Sequence, residues 1–435
     1  MGFGVLAGGF AACENPKIPI PPPWGGGQGV GKNRDFDLVK ALANYAIDSP
    51  NLWYSIFMNT DAYILSAVRS PIGVGKATGA LASLSPVHLS ALILKEAVER
   101  AGIEASQVED VVWGCVTPIG DQGANLARLA VLQAGFPYTT PAVTLNRMCG
   151  SSQQALHFAA QEILSGDMEI TIAGGTEMMS HQPIGSDWPT SWPLDFPYPL
   201  VHQGLSAEMM AERWGLNRDE LDDYGYNSHL KAMNAIQGGR FSEQVAPVSL
   251  PDGRVMVTDE GVRMPPDRGK MAALKPAFKE DGVITAGNSS QISDGCAALV
   301  LASEKAVRRY NLHPRARLVA RSVVGSDPVL MLDGPIPATR QVLNRAGLSL
   351  EDMDVIEINE AFASVVLAWA KEIQPNPQRV NPNGGAIALG HPLGATGAIL
   401  MTKLLHELER RGGRYGLQTM CIGHGMATAT VIERL

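Results

Sequence analysis

Apolar residues along positions 61–435 fall into two alternating textures, short β-favouring runs and longer stretches at helical spacing; residues 1–57 follow neither. Ala62–Val68 and Val108–Val116 read as strands, and Ser85–Ala101 between them as a helix. Pro141–Leu145 is again short and apolar. After Gly150, the residues Ala155, Leu156, Ala159, Ala160, Ile163 and Leu164 recur at helical spacing, which predicts a helix over Ser151–Gly166. Cys149 therefore falls on a turn between strand and helix. Unpaired amides and the positive end of the helix dipole favour a thiolate there, the form a nucleophile needs. On this pattern alone, a small buried apolar cysteine is the commoner outcome.

The pattern then repeats. Arg100-Ala101-Gly102 followed by Val108–Trp113 returns as Arg345-Ala346-Gly347 followed by Met353–Ile358, at a constant offset (345 − 100 = 245 and 353 − 108 = 245). The same offset carries Cys149 to Gly394, in a glycine-rich turn that opens a second predicted helix, Ala395–Arg411. Ile170–Met178, an apolar strand running into glycines, has its counterpart near Leu417–Met426. Three echoes in order predict two duplicated halves. Between them Ser180–Gly269 is an insertion of different character, with Trp188, Trp192 and several prolines before helical stretches at Ser206–Gly215 and Arg218–Ala235. Long insertions of this kind usually cover a site and set specificity.

The first 57 residues change the picture only by exclusion. Ile18–Gly31 is rich in Pro and Gly and predicts no packed element. Met1–Cys13 is apolar without a basic flank, unlike a signal peptide. Gly26–Lys32 matches G-x-x-x-x-G-K, but Asn33 replaces the hydroxyl residue and no strand precedes it, so it reads as a chance match. The catalytic protein is expected to begin near Met58, with 1–57 a disordered or spurious extension.

Composition sets outer bounds. Apolar residues make up 45% and charged ones 18% of the 435, as in an ordinary globular protein. A net charge of −8, without a basic stripe, argues against a nucleic-acid partner. No apolar run reaches the roughly 18 residues of a membrane span. Five scattered cysteines without a CxxC pair argue against a metal site or a secreted disulfide framework, and for a reducing, cytoplasmic setting.

Four further segments carry candidate chemistry. Asn359 follows the predicted strand Val355–Ile358; Asn381–Ala398 is glycine-dense and holds His391; Thr419–Ala427 puts Cys421 at a strand end; Thr285–Gly295 is a turn of small polar residues. By the repeat, these strand ends face a common pocket. A nucleophilic cysteine, a histidine, a second cysteine and an asparagine suit acyl transfer with carbon–carbon bond chemistry. A histidine can take the thiol proton, and a second thiol titrates nearer neutrality than a hydroxyl. Each residue also has a bland reading: His391 as a hydrogen-bonded loop residue, Cys421 as core, Asn359 as a cap and the glycines as turn formers. Jointly, in duplicated positions, the chemical reading is the stronger.

LNRMCGSS, GGTEMMS, NEAFA, NPNGGAIALGHPLGATGA and CIGHG, in this order between about Asp61 and Leu435, resemble the motifs of the thiolase family, the acyl-CoA C-acyltransferases. The resemblance implies an α/β fold of two βαβαβαββ halves, layered α-β-α-β-α around buried helices. The halves would be 58–312, with a loop domain over about 180–270, and 313–435, in homodimers or homotetramers. It implies Cys149 as the acyl-accepting nucleophile, His391 as its activator and Cys421 as the acid/base at the acetyl carbon. One oxyanion site would pair His391 with a water held by Asn359; the other would use the amides of Cys149 and Gly423. For coenzyme A, Ser290 and Ala286 resemble the turn that contacts pantetheine, and Arg263 a nucleotide-contacting arginine. His202, Met331 and Phe362 resemble residues lining the pantetheine and acyl pocket. Coenzyme A would be a substrate, with no tightly bound cofactor and no metal.

The implied reaction is ping-pong cleavage of a 3-oxoacyl-CoA by coenzyme A to acetyl-CoA and a shortened acyl-CoA, in fatty-acid or related lipid degradation. An acetoacetyl-CoA-forming biosynthetic enzyme is the alternative, and a non-catalytic coenzyme A- or lipid-binding relative a further one. A ketoacyl synthase is disfavoured by Cys421. Two positions depart from the family pattern. His424 stands where the last motif, C-x-G-G-G, has its middle glycine. Gln203 stands where short-chain biosynthetic members often carry Met; with the match at Asp259–Arg263 this leans toward a degradative enzyme accepting more than acetoacetyl-CoA, and leaves chain length and branching open.

Overall fold

The computed structural model describes residues 61–435. The expectations for residues 1–57, and for a start near Met58, lie outside them. In chain order, β1 (Ala62–Arg69), β2 (Gly73–Val74) and α1 (Pro86–Ala101) lead to β3 (Asp110–Gly114) and α2 (Leu126–Gln133). Then come β4 (Val143–Leu145), α3 (Ser151–Ser165) and β5 (Ile170–Met178). A long excursion holds α4 (Gln203–Arg213), α5 (Arg218–Gln237), the small β6 (Val248–Ser249) and β7 (Val255–Met256), and α6 (Arg268–Ala272). The chain returns through β8 (Ser293–Ser303) and α7 (Glu304–Tyr310) to β9 (Ala316–Gly325), α8 (Pro335–Ala346), β10 (Met353–Ile358) and α9 (Ala363–Ile373). It closes with α10 (Ala386–Leu389), α11 (Thr396–Arg411), β11 (Tyr415–Ile422) and β12 (Met426–Arg434).

The duplication is visible in the strand order. In the first half it runs β4-β3-β5-β8-β1 and in the second β10-β11-β12-β9. The repeat offset maps β5 onto β11 (170 + 245 = 415) and α3 onto α11 (151 + 245 = 396). In each half the pair β3/β5 or β10/β11 is parallel, and the following strands are antiparallel. β1 and β9 join the halves by a short antiparallel contact, Tyr63 opposite Arg317 and Ile64 opposite Ala316.

Helices lie on both outer faces and between the two strand sets. α1 and α2 pack on one face of the first half through Leu89, Ile93, Ala127 and Val131. α8 and α9 cover the second half through Ile336, Val342, Val366 and Trp369. α3 and α11 are enclosed in the middle, sharing a core of Ala155, Leu156, Ala398, Leu404 and the inward residues of both strand sets. Strands such as β5 and β8 are buried along their whole length, as expected for strands covered on both faces. Gly397 lets the two central helices meet, because a Cβ there would collide with the backbone amide of Gln153.

The excursion is held on the core by buried charge. The Arg69 guanidinium at the end of β1 binds both carboxylate oxygens of Asp259, at 2.6 and 2.9 Å, and Gln244 Oε1 at 2.9 Å. Removing one partner of such a pair typically costs ~3–5 kcal/mol. α4 begins at Gln203, three residues before the predicted Ser206, because the His202 ring caps it: Nδ1 accepts from the Gly204 amide at 3.1 Å. Histidine is not a usual cap, so the sequence pattern alone did not place that start.

Candidate active site

β4 ends at Leu145, α3 starts at Ser151, and Cys149 sits in the turn between them, 5% exposed. Ser151 Oγ organises that turn, donating to the Met148 carbonyl at 2.6 Å and accepting from the Arg147 amide at 2.9 Å. Burial pushes the Cys149 thiol up to about 11, and the Glu177 carboxylate adds to the effect. The Gly423 amide and the Gln203 side chain, both hydrogen-bonding at the sulfur, act the other way. The expected thiolate-favouring helix end does not prevail. Cys149 precedes the cap residue Gly150, outside the first helical turn where the dipole is effective, and desolvation is the larger influence.

Cys421 lies near the end of β11, opposite Ala427 of β12, and is fully enclosed. Burial raises its thiol further still, and the Cys149 sulfur contributes, which puts the two sulfurs within electrostatic reach of each other. Both remain thiols at neutral pH. All four described cysteines are free.

His391 is held from three sides. Its backbone amide donates to the Gln291 carbonyl at 3.1 Å and to Ser293 Oγ at 3.2 Å. Its Nδ1 is 2.6 Å from Thr396 Oγ1, and its Nε2 is 3.2 Å from Asn359 Nδ2. The Thr396 hydroxyl has one proton and donates it to the Pro392 carbonyl at 2.8 Å. It must therefore accept from His391 Nδ1–H, which leaves Nε2 as the bare, basic nitrogen. Burial lowers the imidazole to about 4, so it is neutral at physiological pH. Asn359 directs its amide nitrogen to that Nε2, and its buried Oδ1 has no hydrogen-bond partner among the described residues.

Glu177, at the end of β5, ties the halves together at this point. Its enclosed carboxylate accepts from the amides of Val116 (2.7 Å), Thr117 (3.1 Å) and Gly394 (2.9 Å), and from Gln122 Nε2 (3.1 Å). Leu393, beside Gly394, packs with Cys149, Met148, Val116 and Met420 in one small apolar cluster. The histidine loop of the second half is thereby fixed against the cysteine turn of the first.

The remaining predicted residues separate into two cavities. Arg263 and Ala286 line one of about 300 Å³ with His229, Lys270, Met271 and Gln291; Ser290 is next to Gln291 and donates its amide to the Ala361 carbonyl at 2.9 Å. His202 and Met331 line the other, of about 150 Å³, with Met148, Gln203, Gly423, His424, Trp188 and Trp192. Phe362 lines neither. It packs edge-on to Phe278, which stacks on the His202 ring at 5.2 Å, in the same apolar cluster as Met331 and Cys421. In the sequence Gln203 is marked only as a substitution, and Thr396, Glu177 and the two tryptophans are not marked as site residues. Only Thr396, five residues after His391, left a usable signal. Among the described residues no cluster of three or more His, Cys, Asp or Glu is placed to hold a metal.

A duplicated α/β fold with two thiols, a buried neutral imidazole and an asparagine amide at the junction of its halves defines an acyl-transferring enzyme of the thiolase type. The chain belongs to the thiolase family: it matches the family models for the thiolase N-terminal domain over residues 62–305 and the thiolase C-terminal domain over 312–434. It is 49% identical over 390 residues to a steroid 3-ketoacyl-CoA thiolase of Mycobacterium tuberculosis, covering 86% of this chain and 95% of that protein. It is 42% identical over 383 residues to a 3-ketoacyl-CoA thiolase of Klebsiella pneumoniae, covering 86% and 99%. An acetyl-CoA acetyltransferase of Bacillus anthracis has the same fold, with a TM-score of 0.80 at 40% identity over 86% of this chain and 99% of that one.

Proposed function

We propose that this thiolase cleaves 3-oxoacyl-CoA thioesters with coenzyme A, in the degradative direction, through an acyl-enzyme on Cys149. The observation that carries the reading is the setting of the Cys149 sulfur, bracketed by the Gly423 amide, the Gln203 side chain and the Cys421 thiol. The relatives named 3-ketoacyl-CoA thiolase support the direction.

In this reading His391 Nε2 takes the Cys149 proton as the sulfur attacks the 3-keto carbon. The new oxyanion is met by the Gly423 and Cys149 amides, where one donor typically accounts for ~3–4 kcal/mol. The C2–C3 bond breaks, its electron pair passes to the acetyl-CoA enolate, and Cys421 protonates the enolate carbon. A water donating to the unpartnered Asn359 Oδ1 would complete the donors around the thioester oxygen. Free coenzyme A then attacks the acyl-enzyme, its thiol proton goes to the Cys421 thiolate, the Cys149 sulfur takes its proton back from His391 as it is displaced, and the shortened acyl-CoA leaves. Arg263 and Lys270 give the 300 Å³ cavity two cations for a nucleotide phosphate, with coenzyme A as a substrate and no bound cofactor.

Self-association is part of the proposal. β4 is an edge strand, and around it Val143, Tyr138, Leu129 and Leu132 leave apolar surface exposed, a face that a second copy would cover. Free thiols throughout the described residues support a reducing, cytoplasmic setting, and no described helix is long and apolar enough to cross a membrane.

The test is coenzyme A-dependent cleavage of acetoacetyl-CoA and 3-oxohexanoyl-CoA, with Cys149→Ala as control. Cleavage that disappears in the variant is the expected result. Cleavage that persists in it would remove Cys149 from the mechanism, and none by the wild type would remove the reaction.

A further inference from the structure

The excursion between the halves reaches the catalytic sulfur at the start of α4. Gln203 is the first residue of that helix, and the backbone around it is pinned. The His202 carbonyl accepts from the Leu205 amide at 2.8 Å, and the His202 ring holds the Gly204 amide. Ser206 Oγ donates to the Val329 carbonyl at 2.8 Å. Gly204 sits so close to Phe278 that a Cβ there would lie 2.1 Å from its ring. From this fixed base the half-buried Gln203 side chain lines the 150 Å³ cavity with Met148 and Gly423. Its Nε2 is the atom nearest the space a Gly423 Cβ would take, at 3.1 Å, with Met148 Cγ next at 3.5 Å. Among the described residues, the side chain has no hydrogen-bond partner besides the Cys149 sulfur.

Three donors meet that sulfur: the Gly423 amide, the Cys149 amide and the Gln203 carboxamide. The thiol directs its one proton to His391, so its other neighbours have to donate, which sets the Nε2 end of the carboxamide at the sulfur. The two backbone amides are also the donors of the oxyanion site, and a forming oxyanion draws them off the sulfur. Gln203 Nε2 is then the donor that stays. Negative charge sits on the sulfur at two moments, as its proton passes to His391 and as coenzyme A displaces it. A hydrogen bond to an ionised sulfur is stronger than one to a neutral thiol, so a donor held there favours those moments over the resting state. The first turn of a capped helix is a rigid support, which keeps the reorganisation cost of that donor small.

We propose that Gln203 is a further catalytic residue: its Nε2 donates to the Cys149 sulfur and stabilises the thiolate while the Gly423 and Cys149 amides serve the oxyanion. The excursion thereby supplies part of the reaction centre and not only its cover. A thioether at this position could not do the same, because it has no proton to donate. The inference rests on the thiolase reading above and adds a donor to the same site.

Two variants test it. Gln203→Met keeps the length and loses the donor; Gln203→Glu keeps the shape and puts an acceptor at the sulfur. Each is read twice, by iodoacetamide alkylation of Cys149 at pH 8.5 with peptide mapping, and by steady-state cleavage of 3-oxohexanoyl-CoA with coenzyme A. Alkylation should slow roughly three- to tenfold in Gln203→Met, since the thiolate fraction falls while the thiolate that remains is a stronger nucleophile. Gln203→Glu should be slower still, although it fills the same space. In both variants kcat should fall roughly tenfold or more, with KM changed less than about threefold. Alkylation of Gln203→Glu at the wild-type rate, or a raised KM with unchanged kcat in Gln203→Met, would reduce Gln203 to a cavity wall and overturn the assignment. Alkylation needs no turnover, so the two readings fail separately. A wild type that cleaves no 3-oxohexanoyl-CoA sinks the thiolase reading and the catalytic role with it, whereas normal cleavage with unchanged alkylation in both variants sinks only the donor.

Discussion

Asn359 Nδ2 stands 3.2 Å from His391 Nε2, and the proton order behind that contact is set on the other side of the ring. Thr396 Oγ1 spends its single proton on the Pro392 carbonyl and so takes the His391 Nδ1 proton. Thr396 is thereby a positioning residue for the base. Thr396→Val keeps shape and removes the acceptor, so the imidazole can carry its proton on Nε2 instead. The expected result is a fall in kcat of roughly 10²-fold, within the range of general-base contributions, with KM nearly unchanged. Thr396→Ser should restore most of the loss. If Thr396→Val turns over as the wild type does, the tautomer is fixed by something other than this hydroxyl.

The Cys149 thiol, pushed up to about 11 by burial, is not a resting thiolate. Alkylation of the free enzyme by iodoacetamide, read by peptide mapping at Cys149, should therefore keep climbing tenfold per pH unit from pH 7 to beyond 9. A plateau by pH 8 would mean that the Gly423 and Gln203 hydrogen bonds outweigh desolvation. The distinction matters for mechanism, because a resting thiol has to give its proton to His391 during attack.

Much of this arrangement was legible along the chain. The 245-residue offset places Tyr415 at the start of β11 and Thr396 at the start of α11, because duplicated halves keep the same burial pattern on equivalent strands. Ile170–Met178 appears as a strand with the predicted bounds. Cys149, His391 and Cys421 stand out beside glycines at turns and strand ends, Asn359 at a strand end alone, and Gly423 only through the resemblance to the thiolase family. What stayed hidden has no periodicity to betray it. The Nδ1–Thr396 bond depends on how one loop folds back, and the cap on α4 depends on a histidine acting as an acceptor. The indoles over His424 belong to the insertion, which has no counterpart in the second half and so no repeat to register it.

Gly394 is one of the tight points of the junction. A Cβ there would lie 2.7 Å from Glu177 Oε2, 2.8 Å from Cys115 Cα and 2.9 Å from the Thr176 carbonyl. Two of these are backbone and cannot swing away. Gly394→Ala should lower stability by about 1–3 kcal/mol, the usual cost of overpacking, and, by lifting the loop off Glu177, lower kcat further than stability alone explains. Urea denaturation and steady-state kinetics of the same preparation separate the two. A variant with normal stability and rate would show that the loop has slack at this point.

The last expectation concerns pH and stability. Burial holds His157 down to about 3, and His229, His391 and His406 to about 4, below the ~6.5 of an exposed imidazole. Unfolded, each takes a proton near pH 6.5; folded, each refuses it until pH 3–4. Between those values the unfolded chain binds more protons, so these groups contribute full stability above about pH 7 and lose it as pH falls toward 4. Glu162 and Glu357, raised by burial to about 7 and about 6, act oppositely, gaining protons on folding below those values. Asp110, Glu177, Asp294 and His181 are raised as well, so between pH 7 and pH 5 these groups offset the histidines, and a single histidine is the cleaner test. His157 is the sharpest probe, because it is enclosed against Thr430 Oγ1 at 2.8 Å, with Arg147, Arg321 and Arg345 holding it further down. His157→Gln keeps a partner for that hydroxyl and removes the titration, so over the same range its Tm should fall less, or rise more, than the wild type's. A His157→Gln Tm that changes with pH just as the wild type's does from pH 7 to pH 5 would show that His157 accepts a proton in the folded protein.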